Sequence, residues 1–222
     1  MPDTIDLESW PRKSHFEFFK DYDNPYFNMC ATVDVTNILN LCRADNGPSF
    51  FIATLFLSLK TINEIREFRM RIRNSDVIVH EVVHAGSTVL LPDDTFAFAY
   101  FDFSDDFKTF AAHAKAEIEQ TRSGFNGLRD RPEKTDLIHY TIIPWISFTG
   151  FSHARRWGTT DSIPKIVFGK YRERDGNVIM PVSIEVHHSL VDGIHVGRFF
   201  QRFQELLDDP DLSHIPDTAK RK

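Results

Sequence analysis

The 222-residue sequence has little cysteine and no long uninterrupted apolar run. Two cysteines, Cys30 and Cys42, are too few for a disulfide framework and form no CxxC pair, so we interpret them as reduced core thiols. No apolar stretch reaches the roughly 18 residues that a membrane-spanning helix needs. The opening MPDTIDLESW lacks the basic and apolar regions of a secretory signal. These absences predict a cytoplasmic protein with no membrane partner.

The sequence also lacks a basic tract and the common nucleotide-binding and hydrolase signatures. Its formal net charge of -6 argues against electrostatic binding of nucleic acid. There is no GxxxxGK[ST], no GxGxxG opening a helix and no GxSxG. P-loop nucleotide chemistry, Rossmann cofactors and the usual serine hydrolases are therefore unsupported, and a small-molecule partner is favoured.

Phenylalanine, by contrast, is abundant, with 21 residues against 5 tyrosines and 3 tryptophans. Most of these rings must lie in the core, although an aromatic cleft for an apolar or aryl ligand is a second interpretation. We find no repeat, low-complexity stretch or flexible linker. The chain is therefore predicted to be a single domain, residues 1–222.

Hydrophobic periodicity divides the chain into blocks of strands between helices. This order predicts an α/β (α+β) fold, a two-layer sandwich in which helices cover a mixed β-sheet. Helices are predicted over residues 12–20, 37–43, 49–65, 104–122 and 193–207. Strands are predicted over residues 26–35, 77–83, 87–91, 95–103, 137–143, 145–151, 164–171 and 177–188.

The segment HEVVH at residues 80–84 matches a zinc-peptidase pattern, HExxH. That pattern needs a helix, where both histidines share one face and hold one ion. The surrounding DVIVHEVVHAG is rich in branched residues and predicts a strand, which would place His80 and His84 roughly 13 Å apart. We therefore predict no metal site.

The segment IEVHHSLVDG at residues 184–193 offers two adjacent histidines at the end of a strand. Alternation along a strand places His188 on the face of Val186 and His187 on the face of Glu185. A sheltered neutral imidazole is suited to take a proton from a hydroxyl near pH 7. His188 is the candidate base, whereas a satisfied core histidine is the plainer interpretation.

Four segments together resemble the chloramphenicol acetyltransferases. HHSLVDGIHVGRFFQRFQELL looks like their HHxxxDGxH signature, and the chain also contains the similar segments WPRKSHFEFF, TIIPWISF and PKIVFGKY in the same order. The HxxxDG motif alone is shared with the acyltransferase cores of dehydrogenase complexes and with condensation domains. The set of four is specific to the smaller enzymes.

The resemblance implies a homotrimer that transfers an acetyl group from acetyl-CoA, as cosubstrate, to an alcohol acceptor without a metal. It implies that His188 is the general base and that the alcohol attacks the thioester directly. Asp192 and Arg12 match a structural ion pair of the family. Thr141 stands where a serine usually donates to the oxyanion, and threonine keeps that donor.

The resemblance also implies a cosubstrate path and an acceptor pocket between subunits. Trp145, Lys170 and Tyr171 match residues beside the path of acetyl-CoA. The positions that match the aromatic acceptor pocket are Phe19, Tyr26, Phe27, Thr88, Phe96 and Phe151. Two residues depart from the pattern, since Val167 replaces a threonine that holds a water and His153 replaces an apolar residue.

Three functions remain open from the sequence. The first is acetyl transfer to chloramphenicol, which inactivates the antibiotic. The second is acyl transfer to another aryl or amphipathic alcohol. The third is a catalytically silent binding protein that keeps the fold and the aromatic cleft.

Overall fold

A computed structural model describes residues 2–124, 128, 131, 133–155, 161–210 and 212. Helices of this part of the chain are α1 (Lys13–Phe19), α2 (Thr36–Arg43), α3 (Phe50–Glu64), α4 (Phe107–Ser123) and α5 (Gly193–Asp208). Strands are β1 (Asp3–Thr4), β2 (Tyr26–Asp34), β3 (Met70–Arg73), β4 (Asp76–Val79), β5 (His84–Leu90), β6 (Phe96–Phe101), β7 (Leu137–Ile143), β8 (Lys165–Gly169), β9 (Arg172–Arg174) and β10 (Asn177–His187). None of the described helices is long and apolar enough to cross a membrane.

The main sheet has seven strands in the order β2-β10-β8-β7-β5-β6, with the short β9 also pairing with β10. The β5–β7 and β7–β8 pairs are parallel and the others are antiparallel. A separate sheet of three short strands, β1-β4-β3, was not predicted. The predicted mixed α/β fold is confirmed.

The two faces of the main sheet differ in chemistry because side chains alternate along each strand. On one face Val182, Ile184 and Val186 are fully buried in a core shared with helices α3 and α5. The opposite face carries Ser183 and Glu185 from the same strand. We call it the polar face, and it includes the residues that pair with these two along the neighbouring strands.

The strand predicted over residues 77–83 is interrupted, because its backbone binds other partners. Strand β4 ends at Val79, and β5 begins at His84 in the other sheet. Between them the Asn63 side chain donates to Val83 O at 3.0 Å and accepts from Val83 N at 2.8 Å. Arg69 donates to the carbonyls of His80 and Glu81 at 2.8 and 2.9 Å. These bonds replace the ladder that a continuous strand would need.

The strand predicted over residues 145–151 is wrong, since residues 144–151 form turns and irregular backbone. Pro144 cannot donate to a ladder, which interrupts pairing at the end of β7. The segment instead packs the Phe148 ring against Gly169, where an added Cβ would lie 2.7 Å from that ring. Glycine at 169 is therefore required by close approach.

Candidate active site

His188 lies just past the end of β10, in an aromatic slot beside the edge strand. The backbone N–H of His188 donates to Pro25 O at 2.7 Å, which fixes the position of the backbone. Its ring stacks on Phe19 with centroids 4.0 Å apart and planes 10° apart, and the Phe27 ring lies 4.7 Å away. The two rings therefore hold the imidazole in one orientation.

One edge of the His188 ring is buried, although the side chain is partly exposed. Nδ1 is buried 3.3 Å from Asp192 Oδ1, whereas the side chain as a whole is 35% exposed. The contact does not have hydrogen-bond geometry, but a lone pair on Nδ1 would be repelled by the carboxylate oxygen 3.3 Å away, whereas a hydrogen there would be attracted to it. The neutral ring therefore carries its proton on Nδ1, which leaves Nε2 free to accept a proton.

Asp192 is held in turn by Arg12. The guanidinium donates from Nη1 to Asp192 Oδ2 and from Nη2 to Oδ1, the latter at 3.1 Å. It also donates to the carbonyls of His188 and Ser189 at 3.3 and 3.5 Å. Burial alone would raise the pKa of Asp192, but the hydrogen bonds and charge of Arg12 lower it, so the carboxylate stays ionised beside His188.

His187 is the more buried of the two histidines, which reverses the shelter expected from the strand pattern. Its side chain is buried on the polar face, against the edge of the Tyr26 ring at 5.1 Å. Burial, together with the charge of the nearby Arg155, lowers its pKa to about 4. Charged side chains cover the polar face and shelter it from solvent. The polar residues beside His187 in the sequence therefore did not indicate that His187 is exposed.

We expect Arg12→Ala to destabilise the fold by about 1–3 kcal/mol, because the variant leaves Asp192 partly buried without its cation. The lost contacts to the His188 and Ser189 carbonyls should also lower kcat. Urea unfolding and steady-state kinetics measure the two effects.

Arg202→Ala is the matched control for Arg12→Ala. Arg202 pairs with Glu64 and Glu205 near the other end of α5, and all three side chains are substantially exposed. Its loss should cost about 1 kcal/mol or less and leave kcat unchanged. Equal destabilisation by the two variants would contradict the bracing role of Arg12.

Thr141 lies on the polar face near the middle of β7. It pairs with Val167 of β8, which pairs with Ser183 of β10. Continuing the β5–β7 register by one residue places Thr88 on its other side. The Thr141 Oγ1 lies 3.4 Å from His153 Nε2, within hydrogen-bonding distance.

His188 and Thr141 cannot reach one small substrate within a single chain. Two strand spacings and five residues along β10 separate them, which amounts to about 19 Å. Thr141 also projects from the polar face, whereas His188 packs beside Phe27, on the opposite side of the sheet. A site that uses both residues therefore needs a second copy of the chain.

The predicted pocket residues divide between these two places. Phe19 and Phe27 flank His188, and Thr88 lies beside Thr141, with the half-exposed Phe96 further along the same edge of the sheet. The remaining two predicted pocket residues, Tyr26 and Phe151, contact charged or polar groups.

Tyr26 and Phe151 both contact the charged part of the polar face. The Arg155 guanidinium lies 3.2 Å from the Tyr26 ring centroid, and the Tyr26 hydroxyl donates to Asp161 O. Phe151 meets His153 edge-on at 4.9 Å. These contacts join part of the predicted aromatic pocket to a network of ion pairs.

That network is the part of the site that sequence reasoning missed. Arg155 donates to Glu185 Oε1 from Nε at 2.8 Å and also from Nη2, and it lies 3.5 Å from Asp161. Lys165 forms an ion pair with Asp161 at 3.1 Å. Glu185 and Lys165 share the polar face by register, which alternation could have indicated. No sequence signal places Arg155 against them.

A cavity of about 350 Å³ opens on the other side of β7, next to the ends of β7 and β8. Its lining is mainly apolar and includes Lys170 and Tyr171, two of the predicted cosubstrate residues. The Tyr171 ring meets Phe50 edge-on at 5.3 Å. Trp145, the third, is 61% exposed and is not part of the lining. The dimensions suit a narrow apolar chain with an anion near the lysine.

The two histidines of HEVVH have separate partners. His80 Nε2 lies 3.2 Å from Thr135 Oγ1, and His84 Nδ1 accepts from Phe103 N at 2.9 Å. Within the described residues no group of three or more His, Cys, Asp or Glu side chains could hold a metal ion. Cys30 and Cys42 are both free and partly buried; Cys42 packs against the core, whereas Cys30 is not one of the core residues.

Comparison with known proteins gives consistent matches along the chain. The chloramphenicol acetyltransferase family profile matches residues 2–204. The chain is similar to a chloramphenicol acetyltransferase of Streptomyces acrimycini, with 34% identity over 94% of this chain and 96% of the relative. It is also similar to one of Clostridium perfringens, with 28% identity over 91% and 93%. A solved chloramphenicol acetyltransferase superposes with a TM-score of 0.83 at 26% identity, covering 93% of this chain and all of its own.

Proposed function

The chain belongs to the chloramphenicol acetyltransferase family and is an acyltransferase, and we propose that it moves an acetyl group from acetyl-CoA to a hydroxyl of chloramphenicol. The observation that carries this proposal is the His188 ring, held between two phenylalanines with Nδ1 facing Asp192 and Nε2 free. The reaction belongs to one domain spanning the chain.

His188 acts as the general base. Its Nε2 accepts the proton of the acceptor hydroxyl as the oxygen attacks the carbonyl carbon of the thioester. The imidazolium that forms lies 3.3 Å from the Asp192 carboxylate, which stabilises its charge. When the tetrahedral intermediate collapses, the C–S bond breaks and the departing CoA thiolate takes the proton from His188.

Thr141 stabilises the negative oxygen of the tetrahedral intermediate. Its hydroxyl can donate one hydrogen bond to that oxygen, as backbone and side-chain donors do in other acyl-transfer sites. Val167 beside it is fully buried and offers no hydroxyl to hold a water there. We therefore assign the oxyanion contact to Thr141.

The cavity beside β7 binds the acetyl-CoA arm. Its apolar lining fits the pantetheine chain, and Lys170 at its rim offsets the charge of a CoA phosphate on this acidic protein. Ile142 lines the cavity from the face of β7 opposite to the Thr141 side chain, so the thioester end of the cosubstrate must reach round the end of β7 to meet the proposed oxyanion donor. Trp145 lies one residue beyond Pro144 of the lining, and its assignment to the cosubstrate path rests on the family resemblance.

The active protein is a homotrimer with one site at each junction between subunits. The separation of about 19 Å between His188 and Thr141 within one chain supports a site shared between copies, and the family resemblance supports three copies. A ring of three identical contacts lets each His188 face the neighbour's Thr141. The exposed Phe18 and Tyr22 of the N-terminal part and the exposed Phe96 suit such contacts.

Two inactive variants should restore each other if the site is shared. Co-expression of His188→Ala and Thr141→Ala chains should return about a quarter of the wild-type activity. Half of the chains keep His188, and half of the neighbours that they face keep Thr141, so one junction in about four has both residues. The variants expressed separately are the controls. A mixed preparation as inactive as either variant alone would place both residues in one chain's site.

The function itself is tested by the release of free CoA from acetyl-CoA with chloramphenicol present and absent. Turnover that depends on the drug, with a product heavier by one acetyl group, is expected. Turnover only with other aryl or amphipathic alcohols would favour the second acceptor class. The charged network beside Tyr26 is the reason to include such alcohols in the assay. Saturable binding without any turnover would indicate a silent relative.

A further inference from the structure

We propose that His153 is a positioning residue that donates a hydrogen bond from Nε2 to Thr141 Oγ1 and thereby directs the Thr141 hydroxyl hydrogen at the thioester oxygen. This inference rests on the oxyanion role proposed for Thr141. It assigns a function to a histidine at a position where the family usually has an apolar residue.

The contact is specific within the described part of the chain. The Thr141 oxygen lies 3.4 Å from His153 Nε2, and this is the hydrogen-bonding contact that the structure gives to that hydroxyl. The His153 side chain is 13% exposed and lies edge-on to Phe151 at 4.9 Å. Packing therefore limits the ring's rotation and keeps Nε2 towards the threonine.

The ring is neutral at physiological pH. Burial lowers the pKa of His153 to about 4, and the charges of Lys165, Arg155 and His139 act in the same direction. Asp161 acts in the opposite direction but does not reverse the shift. A neutral imidazole carries a single N–H, so only one of its two nitrogens donates.

The surroundings place that hydrogen on Nε2. Nδ1 is buried and has no hydrogen-bonding partner among the described residues. The nearby Glu185 Oε1 is 3.8 Å away, too far for a hydrogen bond, and already accepts from Nε and Nη2 of Arg155. A hydrogen on Nδ1 would therefore form no hydrogen bond, whereas a hydrogen on Nε2 can be donated to Thr141 Oγ1.

A hydroxyl that accepts on one side keeps its own hydrogen for another acceptor. With His153 donating to Thr141 Oγ1, the threonine hydrogen points away from the ring and is available to the oxyanion. The two donors in series also polarise each other, which strengthens the second bond. The Arg155–Glu185 ion pair lies beside the far edge of the ring, with Glu185 Oε1 3.8 Å from Nδ1.

The direct test compares His153→Leu, which removes the donor, with His153→Gln, which keeps a donor near the position of Nε2. His153→Leu should lower kcat about tenfold, the loss expected from one hydrogen bond, with the KM for acetyl-CoA unchanged. His153→Gln should recover kcat to within about threefold of the wild type. Wild-type kcat in the leucine variant, or an equally slow glutamine variant, would overturn the proposal.

A double-mutant cycle shows whether His153 acts through Thr141. In a Thr141→Ala background His153→Leu should change kcat by less than about twofold, because the group it positions is gone. A second tenfold loss in that background would overturn the inference. If the leucine variant does not fold, His153→Phe keeps a ring without the donor and takes its place in the cycle.

The outcomes separate this inference from the proposed function. A slow Thr141→Ala enzyme combined with a fully active His153→Leu enzyme refutes the positioning role and leaves the oxyanion role standing. A fully active Thr141→Ala enzyme refutes both. Loss of free-CoA release in every variant and in the wild type would refute the proposed transferase activity itself.

Discussion

His188→Ala is expected to lower kcat by about two to four orders of magnitude, the range that a positioned general base contributes. The wild-type ring is held by Phe19 and Phe27 with Nε2 free, and alanine leaves no group there to accept the hydroxyl proton. The KM for acetyl-CoA should change little, because the cavity assigned to the cosubstrate does not include His188. Steady-state assay of CoA release measures both quantities.

His187→Ala is the adjacent control for His188→Ala. His187 is buried and its Nδ1 accepts from Ser189 N at 3.3 Å, so its loss should lower the melting temperature more than kcat. Comparing kcat and thermal stability of the two variants separates chemistry from folding. Equal losses of kcat in two stably folded variants would refute the assignment of the base to His188.

Thr141→Ala is expected to lower kcat by about two to three orders of magnitude, as the removal of an oxyanion donor does in other acyl-transfer enzymes. The reason is that the negative oxygen forms only after attack, so the lost hydrogen bond affects the transition state and not the binding of acetyl-CoA. The KM for both substrates should therefore stay near its wild-type value. Single-turnover and steady-state kinetics with chloramphenicol test this.

Two further substitutions at the same position distinguish the hydroxyl from the methyl group. Thr141→Ser keeps the donor and should be tolerated, whereas Thr141→Val keeps the shape and should be as slow as alanine. Val167, the neighbour of Thr141 on β8, shows that a valine fits this face of the sheet. Near-normal kcat in Thr141→Val would mean that another group donates to the oxyanion.

Local pattern and motif gave the parts of this protein that depend on nearby residues. Apolar periodicity predicts the mixed sheet, the five helices of the described chain and the strand that ends at His187. The reason is that buried residues recur about every 3.6 positions in a helix and at every second position in a strand. The spacing from His188 to Asp192 spans one turn, which brings the ring and the carboxylate together. Periodicity failed at residues 145–151, where Pro144 and the packing of Phe148 outweigh strand propensity.

The sequence by itself therefore determined the fold class, the candidate base and its ion-paired support, since short segments and a family motif encode them. Only the tertiary structure decided that Thr141 lies about 19 Å from His188 and that His153 contacts Thr141. It also placed Arg155 against Glu185 on a buried polar face. The physical reason is strand register, which joins residues far apart in the chain and sets which side chains share a face.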